Sequence, residues 1–361
     1  MILISFLLMI FYVIYDIYFD ILNIFLENKI LKISILLSII FLVLQIIILP
    51  MFSKNLNSFS LRSMYIFLCL FVYIFCIFLI RDIGYIFEIN NYLKSFILII
   101  IFSTIIGTIY GYFNDNIEIT RYNIETEKDV NIKLIFLTDL HIGNKGINEK
   151  QIRDIVSIIN KENPDLLVFG GDTIEKEDTF LKTKNITRVM KHIKTKDIYG
   201  VFGNHEYYFD NNPQEMKNLI EKNYKIHILE DEYTKLKNNV ILIGRLDYSS
   251  KDFGIKRKNL EEILKGVEEN NFVIVIDHNP INFKESVENN IDLQISGHTH
   301  GGQIFPFTIV NKLFYKKIYG FFKEKNSKLI ISSGIGTSGI PLRIMAKKEL
   351  VIINIKSKIC K

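Results

Sequence analysis

Two patterns of apolar and polar positions divide the chain. Up to residue 113 the apolar positions run together: Ile33–Ser53, Ser63–Ile80 and Ser95–Asn114 are uncharged stretches of 21, 18 and 20 residues, each near the roughly 20 a helix needs to cross a bilayer. Met1–Tyr15 is uncharged for 15 residues and then meets Asp16, Asp20, Asn23 and Glu27, spaced as one polar stripe on an otherwise apolar helix. This predicts a first span that continues as an amphipathic helix at the interface, and four transmembrane α-helices in all. A cleaved signal peptide fits poorly, because the basic leading region and small-residue cleavage site are missing and three more spans follow. The polar stretch 114–131 reads as a linker. From Ile132 onward, Lys133–Leu137, Asp165–Phe169, Asp197–Phe202, Val240–Ile243, Phe272–Ile276, Ile291–Ile295 and Lys328–Ser332 read as buried strands. Between them lie charged amphipathic segments, Glu149–Lys161, Lys182–Lys194, Pro213–Asn223 and Arg257–Asn270. That alternation predicts an α/β domain with layered sheets over 132–361, behind a membrane domain over 1–113.

Charge obeys the same division. Residues 1–113 hold six Lys/Arg and five Asp/Glu, whereas the remaining 248 residues hold 72 charges, close to the roughly 25% of water-soluble chains. With 49% hydrophobic residues the chain is not disordered. Its net charge of +5 is too small to mark a nucleic-acid surface, so no nucleic-acid partner is expected. Cys69 and Cys76 lie in an apolar run and Cys360 at the end, which leaves the second domain without a cysteine-based zinc cluster. The spans imply a multi-pass location in the cell membrane, but not the side on which the second domain lies. Lys54, Arg62, Arg121, Lys128 and Lys133 would share its side, and Lys29, Lys32, Arg81 and Lys94 the other, which is no bias.

The loop at the end of each strand carries the chemistry. Leu137 leads into Thr138-Asp139-Leu140-His141, Phe169 into Gly170-Gly171-Asp172, and Phe202 into Gly203-Asn204-His205-Glu206. Ile276 leads through Asp277 to His278-Asn279-Pro280, and Ile295 to Gly297-His298-Thr299-His300-Gly301-Gly302-Gln303. Five of the seven histidines fall in these loops, with His192 and His227 reading as ordinary surface or half-buried residues. In open α/β sheets the crevice at the strand C-termini is where ligands sit, so the five loops can converge there. Carboxylate, amide and imidazole without thiolate suit divalent manganese, iron, zinc or cobalt. Asp139 and His141 can chelate one ion from a single turn, and Asp172 can bridge two. Two ions roughly 3.5–4 Å apart can clamp the attacking and leaving oxygens of a phosphoryl displacement.

In this order, these five motifs over about 132–355 resemble the calcineurin-like metallophosphoesterase family. With apolar spans in front, they are most similar to its membrane-anchored bacterial branch, which includes UDP-2,3-diacylglucosamine pyrophosphatases of lipid A synthesis. The resemblance implies a two-sheet αββα sandwich. It also implies two divalent ions, manganese first among the candidates, one held by Asp139, His141 and His300 and the other by Asn204, His278 and His298, with Asp172 bridging. A water activated between the ions would attack phosphorus in line, with His205 neutralising the leaving oxygen. The implied activity is hydrolysis of a phosphodiester or pyrophosphate bond, in a substrate associated with the lipid bilayer. A soluble nucleotide or phosphoprotein substrate, or a non-catalytic membrane scaffold, are the alternatives.

Several residues allow two readings. Glu206 either orients His205 or caps the following turn. Gly334, Gly336 and Gly339 spell a dinucleotide fingerprint, but Pro341 comes where a phosphate-cradling helix should begin, so a tight loop beside the metals is expected. Arg343 reads as a structural ion pair before a phosphate contact, and Lys256–Lys258 as a solvated run. Asp277 is expected to point away from its neighbour with little consequence. The aromatic and basic stretch Ile304–Lys323 is either a core-packed loop or a lip that meets a membrane surface.

Overall fold

The computed structural model describes residues 106, 107, 110, 111, 114 and 116–361, apart from 144–146, 176–182, 209–211, 305–306, 339–342, 345 and 359–361. The chain divides into two units, Met1–Asn114 and Asp115–Lys361. The four expected spans and the Asp16–Glu27 stripe lie outside the described residues, save a few positions of the last span. Among the described residues, no helix is long and apolar enough to cross a membrane.

The second unit is built on twelve strands in two mixed six-stranded sheets. The first sheet has the order β1 (Ile117–Thr126), β12 (Lys348–Ser357), β2 (Asn131–Leu137), β3 (Leu166–Phe169), β4 (Ile198–Gly200), β5 (His227–Ile228). The second runs β10 (Gly320–Glu324), β11 (Ser327–Ile331), β9 (Leu293–Ser296), β8 (Phe272–Ile276), β7 (Val240–Gly244), β6 (Glu232–Lys235). Side chains alternate across each strand, so β2 sends Leu134 and Phe136 to one core and Ile135 and Leu137 to another. The inner core closes the two sheets face to face, with Leu134, Phe136, Val168, Leu242, Ile274, Ile295 and Ile353 all buried. Each such side chain contributes roughly 1.5–3 kcal/mol relative to exposure.

Helices cover both outer faces. Helix α1 (Glu149–Glu162) starts at a capping box in which Asn148 and Gln151 satisfy each other's backbone N–H groups. Its Ile152, Ile155, Val156 and Ile159 recur at helical spacing and pack on the outer face of the first sheet, beside α2 (Lys184–Met190). The next helices are α3 (Asn204–Tyr207), α4 (Pro213–Tyr224), α5 (Leu260–Ile263), α6 (Phe283–Glu288) and α7 (Phe307–Phe314). Leu260 and Ile263 of α5 close the outer face of the second sheet on Ile241, Ile243, Val273 and Val275. The αββα architecture implied by the motifs is therefore the one observed.

Two expectations are corrected. The stretch read as a linker contains β1, which pairs in parallel with β12 over its whole length, Ile117 with Lys348 through Thr126 with Ser357. Its half-exposed alternation lacks the continuous apolar run of the inner strands. The amphipathic helix expected over 257–270 is one turn, Leu260–Ile263: Arg257 is drawn aside before its start, and the chain turns off through Gly266 with φ 87°. Arg257 pairs with the buried Asp277 carboxylate and stacks its guanidinium 4.6 Å from the Tyr248 ring centre. Asp277 does point away from His278, but into an ion pair rather than into indifferent surroundings. Burial raises its carboxyl above the ordinary range against the pull of Arg257.

Candidate active site

In the first sheet β2, β3 and β4 run parallel, and in the second β7, β8 and β9 do, so the motif-bearing strands of each sheet end at one edge. Backbone hydrogen bonds lace the loops beyond that edge. Asp139 N–H donates to Gly171 O at 3.0 Å, His141 N–H to Asp172 O at 2.9 Å, and Gly297 N–H to His278 O at 2.9 Å. Five of the seven expected ligands, Asp139, His141, Asp172, His298 and His300, have a left-handed backbone with φ between 46° and 69°. Non-glycine residues rarely adopt that region, and such outliers gather at functional sites. Glycine is required beside them. Gly171 has φ +95°, and a Cβ there would meet His278 Nδ1 at 2.6 Å; a Cβ on Gly203 would strike Asp172 Oδ1.

The side chains form two groups. In the first, His141 Nε2 lies 3.2 Å from His300 Nε2, and His300 Nε2 lies 3.4 Å from Asp139 Oδ1. In the second, His278 Nε2 lies 3.2 Å from His298 Nδ1 and 3.4 Å from Asp172 Oδ2. Asp172 Oδ2 is also 3.7 Å from His141 Nε2, which places this carboxylate between the groups. Each set, Asp139/His141/His300 and Asp172/His278/His298, has its ligand atoms within 4.8 Å of one another. Asn204 Oδ1 is buried with no hydrogen-bond partner among the described residues. Nitrogens facing nitrogens and an orphaned amide oxygen are unfavourable arrangements that a divalent cation satisfies. The residues therefore fit two ions, and Asn204 directly follows Gly203, where a Cβ would meet His278 Nε2 at 2.7 Å.

Electrostatics within the cluster are strong. Burial alone would raise the Asp172 carboxyl, but His278, His141 and His205 hold it well below the usual range. Burial, together with His141 and Arg343, pushes the His300 imidazole well below its ordinary value, toward the neutral form that ligates.

Residues 132–302 match the family model for calcineurin-like phosphoesterase. A metallophosphoesterase of Aquifex aeolicus is 30% identical over 253 residues, 67% of this chain and 93% of that protein. The chain belongs to the calcineurin-like phosphoesterase family. It is accordingly a metal-dependent hydrolase of phosphoester bonds. A Campylobacter jejuni metallophosphoesterase is 32% identical over 63% of this chain, and the match spans 60% of that protein's length. A Danio rerio protein named as a transmembrane protein with a metallophosphoesterase domain is 26% identical over 62% of this chain and 53% of that one.

Around the ligands of this phosphoesterase stand groups that the motifs do not announce. Glu175 accepts from His141 Nδ1 at 2.7 Å and lies 3.2 Å from His205 Nδ1. Its carboxyl would rise on burial, but the two imidazoles pull it down to about 2. Burial would lower His205, and Glu175, Asp172 and Glu206 outweigh it and hold the imidazole up at about 9. One carboxylate thus fixes the ring of a ligand and the ring of the candidate acid, each through Nδ1, which leaves both Nε2 atoms for chemistry. Glu175→Gln is expected to lower turnover roughly 10- to 100-fold. A pH–rate profile whose basic limb moves to lower pH as the rate falls would mark a positioning role; an unchanged rate and profile would rule it out.

Glu206 neither orients His205 directly nor only caps its own turn. It is fully buried and accepts four backbone N–H groups, from Asp172 at 2.9 Å, Thr173 at 2.6 Å, Ile174 at 3.1 Å and Gly203 at 2.8 Å. His278 is oriented by its Nδ1–H donating to Gly170 O at 2.7 Å, and His298 Nε2 meets Tyr315 Oη at 3.0 Å. Arg343 makes no ion pair among the described residues. Its buried guanidinium donates to the backbone oxygens of Gly336, Lys347 and His300 and lies 3.2 Å from His300 Nδ1, so it supports the ligand loop. Gly334 and Gly336 form the tight loop expected beside the metals, packed against Asp139 and Leu140. His192 and His227 lie away from the cluster, exposed.

Proposed function

We propose that this chain is a membrane-tethered dinuclear phosphoesterase that cleaves a phosphodiester or pyrophosphate bond in a lipid or envelope precursor, of the class represented by UDP-2,3-diacylglucosamine. The observation that carries the reaction is the position of Asp172 between two imidazole groups, and a buried Asn204 Oδ1 without a hydrogen-bond partner among the described residues supports it. Two divalent ions bound there, manganese first, would supply a polarised water and neutralise the phosphoryl oxygens. Asp172 balances that charge from between the two groups. His205 keeps one nitrogen on Glu175 and presents the other to the departing oxygen. Support for the tether comes from the uncharged stretches before residue 114 and from the relative named as transmembrane.

The test is hydrolysis of bis(4-nitrophenyl) phosphate, followed by nitrophenolate, and of a dialkyl phosphodiester, followed by release of its alcohol, by detergent-purified protein, with Mn²⁺ and then with chelator. Turnover is expected to need metal. His205→Asn is expected to cost about 10²–10⁴-fold when the poorer alkoxide must leave, and less for nitrophenolate, because proton donation matters most to a basic leaving group. An equal loss on both leaving groups would remove His205 from the role of acid. Comparing lipid-linked pyrophosphates with soluble nucleotides under the same conditions then decides the substrate class.

A further inference from the structure

The segment after the histidine pair is not a core-packed loop. Ile304 is buried, but helix α7 leaves Leu313 80% and Phe314 74% exposed. Phe321 stacks on Tyr122 with ring centres 5.9 Å apart, and Phe322 packs against the cluster around Phe283 and Val287. Among the described residues of this segment, the apolar side chains most exposed to water are Leu313 and Phe314, ahead of Phe321 at 43%. Lys312 and Lys316 flank them, both exposed and without an ion pair among the described residues. No Asp or Glu occurs from Leu293 through Lys323.

This pair is also wired to the second ligand group. Tyr315 directly follows Phe314, and its hydroxyl lies 3.0 Å from His298 Nε2. Asn311 Nδ2 donates to Thr299 O at 3.2 Å, and Thr299 Oγ1 donates to Ile318 O at 2.6 Å. Three hydrogen bonds thus join the exposed end of α7 and the segment after it to the His298–His300 loop.

We propose that Leu313 and Phe314 seat in the surface of an anionic phospholipid bilayer, drawn there by Lys312 and Lys316, and bring the metal centre to phosphoesters at the headgroup level. An aromatic and aliphatic pair between lysines matches that surface in both polarity and charge. A second copy of the same face is disfavoured, because its lysines would meet lysines. The inference rests on the membrane-tether reading above, and supplies what that reading lacks, a contact made by the catalytic unit itself.

The chain contains no Trp, so Phe314→Trp is a unique fluorophore. The full-length variant would be placed in nanodiscs of phosphatidylcholine, with or without phosphatidylglycerol, carrying brominated or ordinary acyl chains. Bromine is expected to quench the emission about twofold or more in phosphatidylglycerol discs, and the quenching should fall when Lys312 and Lys316 are both changed to Ser. Asn270→Trp, on an exposed turn before β8, should stay unquenched. Absent quenching, equal quenching with and without phosphatidylglycerol, or quenching of Asn270→Trp to the same degree would each overturn the proposal. A blue-shifted Phe314→Trp that bromine does not quench would mean that protein covers the residue, and would overturn it too. Co-elution of chain and disc reports separately on the tether. Were it to fail, brominated phosphatidylglycerol vesicles added to the detergent-free protein give the same readout for α7.

Discussion

Asp172→Asn is expected to lower kcat/KM for a phosphodiester by on the order of a thousandfold, equivalent to about 4 kcal/mol of transition-state stabilisation. The substitution keeps the volume and removes one charge and one acceptor oxygen. Both matter at this position. Oδ2 lies 3.4 Å from His278 and 3.7 Å from His141, while Oδ1 accepts the His205 N–H at 2.9 Å. An amide can keep only one of those arrangements and cannot balance two dications. The metal content measured by plasma mass spectrometry should fall from two ions per chain to one or fewer, with an unchanged circular-dichroism spectrum. Two ions per chain together with activity within tenfold of the parent would show that Asp172 does not bridge.

Glu206→Ala should have the largest effect on stability. Its two oxygens take four N–H groups from the loops after β3 and β4, all in the interior. Each buried donor left unpaired costs roughly 1–3 kcal/mol. Relaxation of the loops and entry of water would recover part of the sum, so a net loss of about 4 kcal/mol is expected. For a unit of this size that corresponds to a fall in melting temperature of about 8–16 °C in detergent solution. Glu206→Gln, which keeps one acceptor oxygen, should fall between. A shift under about 3 °C for Glu206→Ala would mean that the loops hold without the carboxylate.

Most of the candidate cluster was legible because chemistry and topology agree in it. Asp139, Asp172, His278 and His298 each come within a few residues of the end of a buried apolar strand, and parallel strands bring such loops to one edge. Asn204 was singled out by its motif alone, and its buried oxygen has no hydrogen-bond partner among the described residues. Glu175 was not legible. It sits three residues past Asp172, one acid among many, and only the tertiary fold shows that it serves His141 and His205 together. Arg257 was hidden in the same way, since a basic residue in a polar run gives no sign that a buried Asp277 awaits it. Arg343 misled in the other direction, because an arginine suggests a carboxylate partner, and here backbone carbonyls take its protons. Strand β1 was missed for a physical reason. An edge strand satisfies its outer face with water, so its sequence carries polar residues at positions where an inner strand carries Ile or Val.

That strand sets where the catalytic unit can be cut. A fragment begun at residue 132, where the family match starts, would lose β1 and strip β12 of a ten-residue partner. The open edge would be long, flat and rich in Ile and Val, the kind that zips onto a neighbouring molecule. Thr120, which donates to the buried Glu349, would go with it, leaving that carboxylate to Tyr319, Ser332 and the Ser333 backbone. A fragment that keeps this sheet edge paired therefore starts before Ile117, and aggregation of shorter pieces is expected from the missing edge.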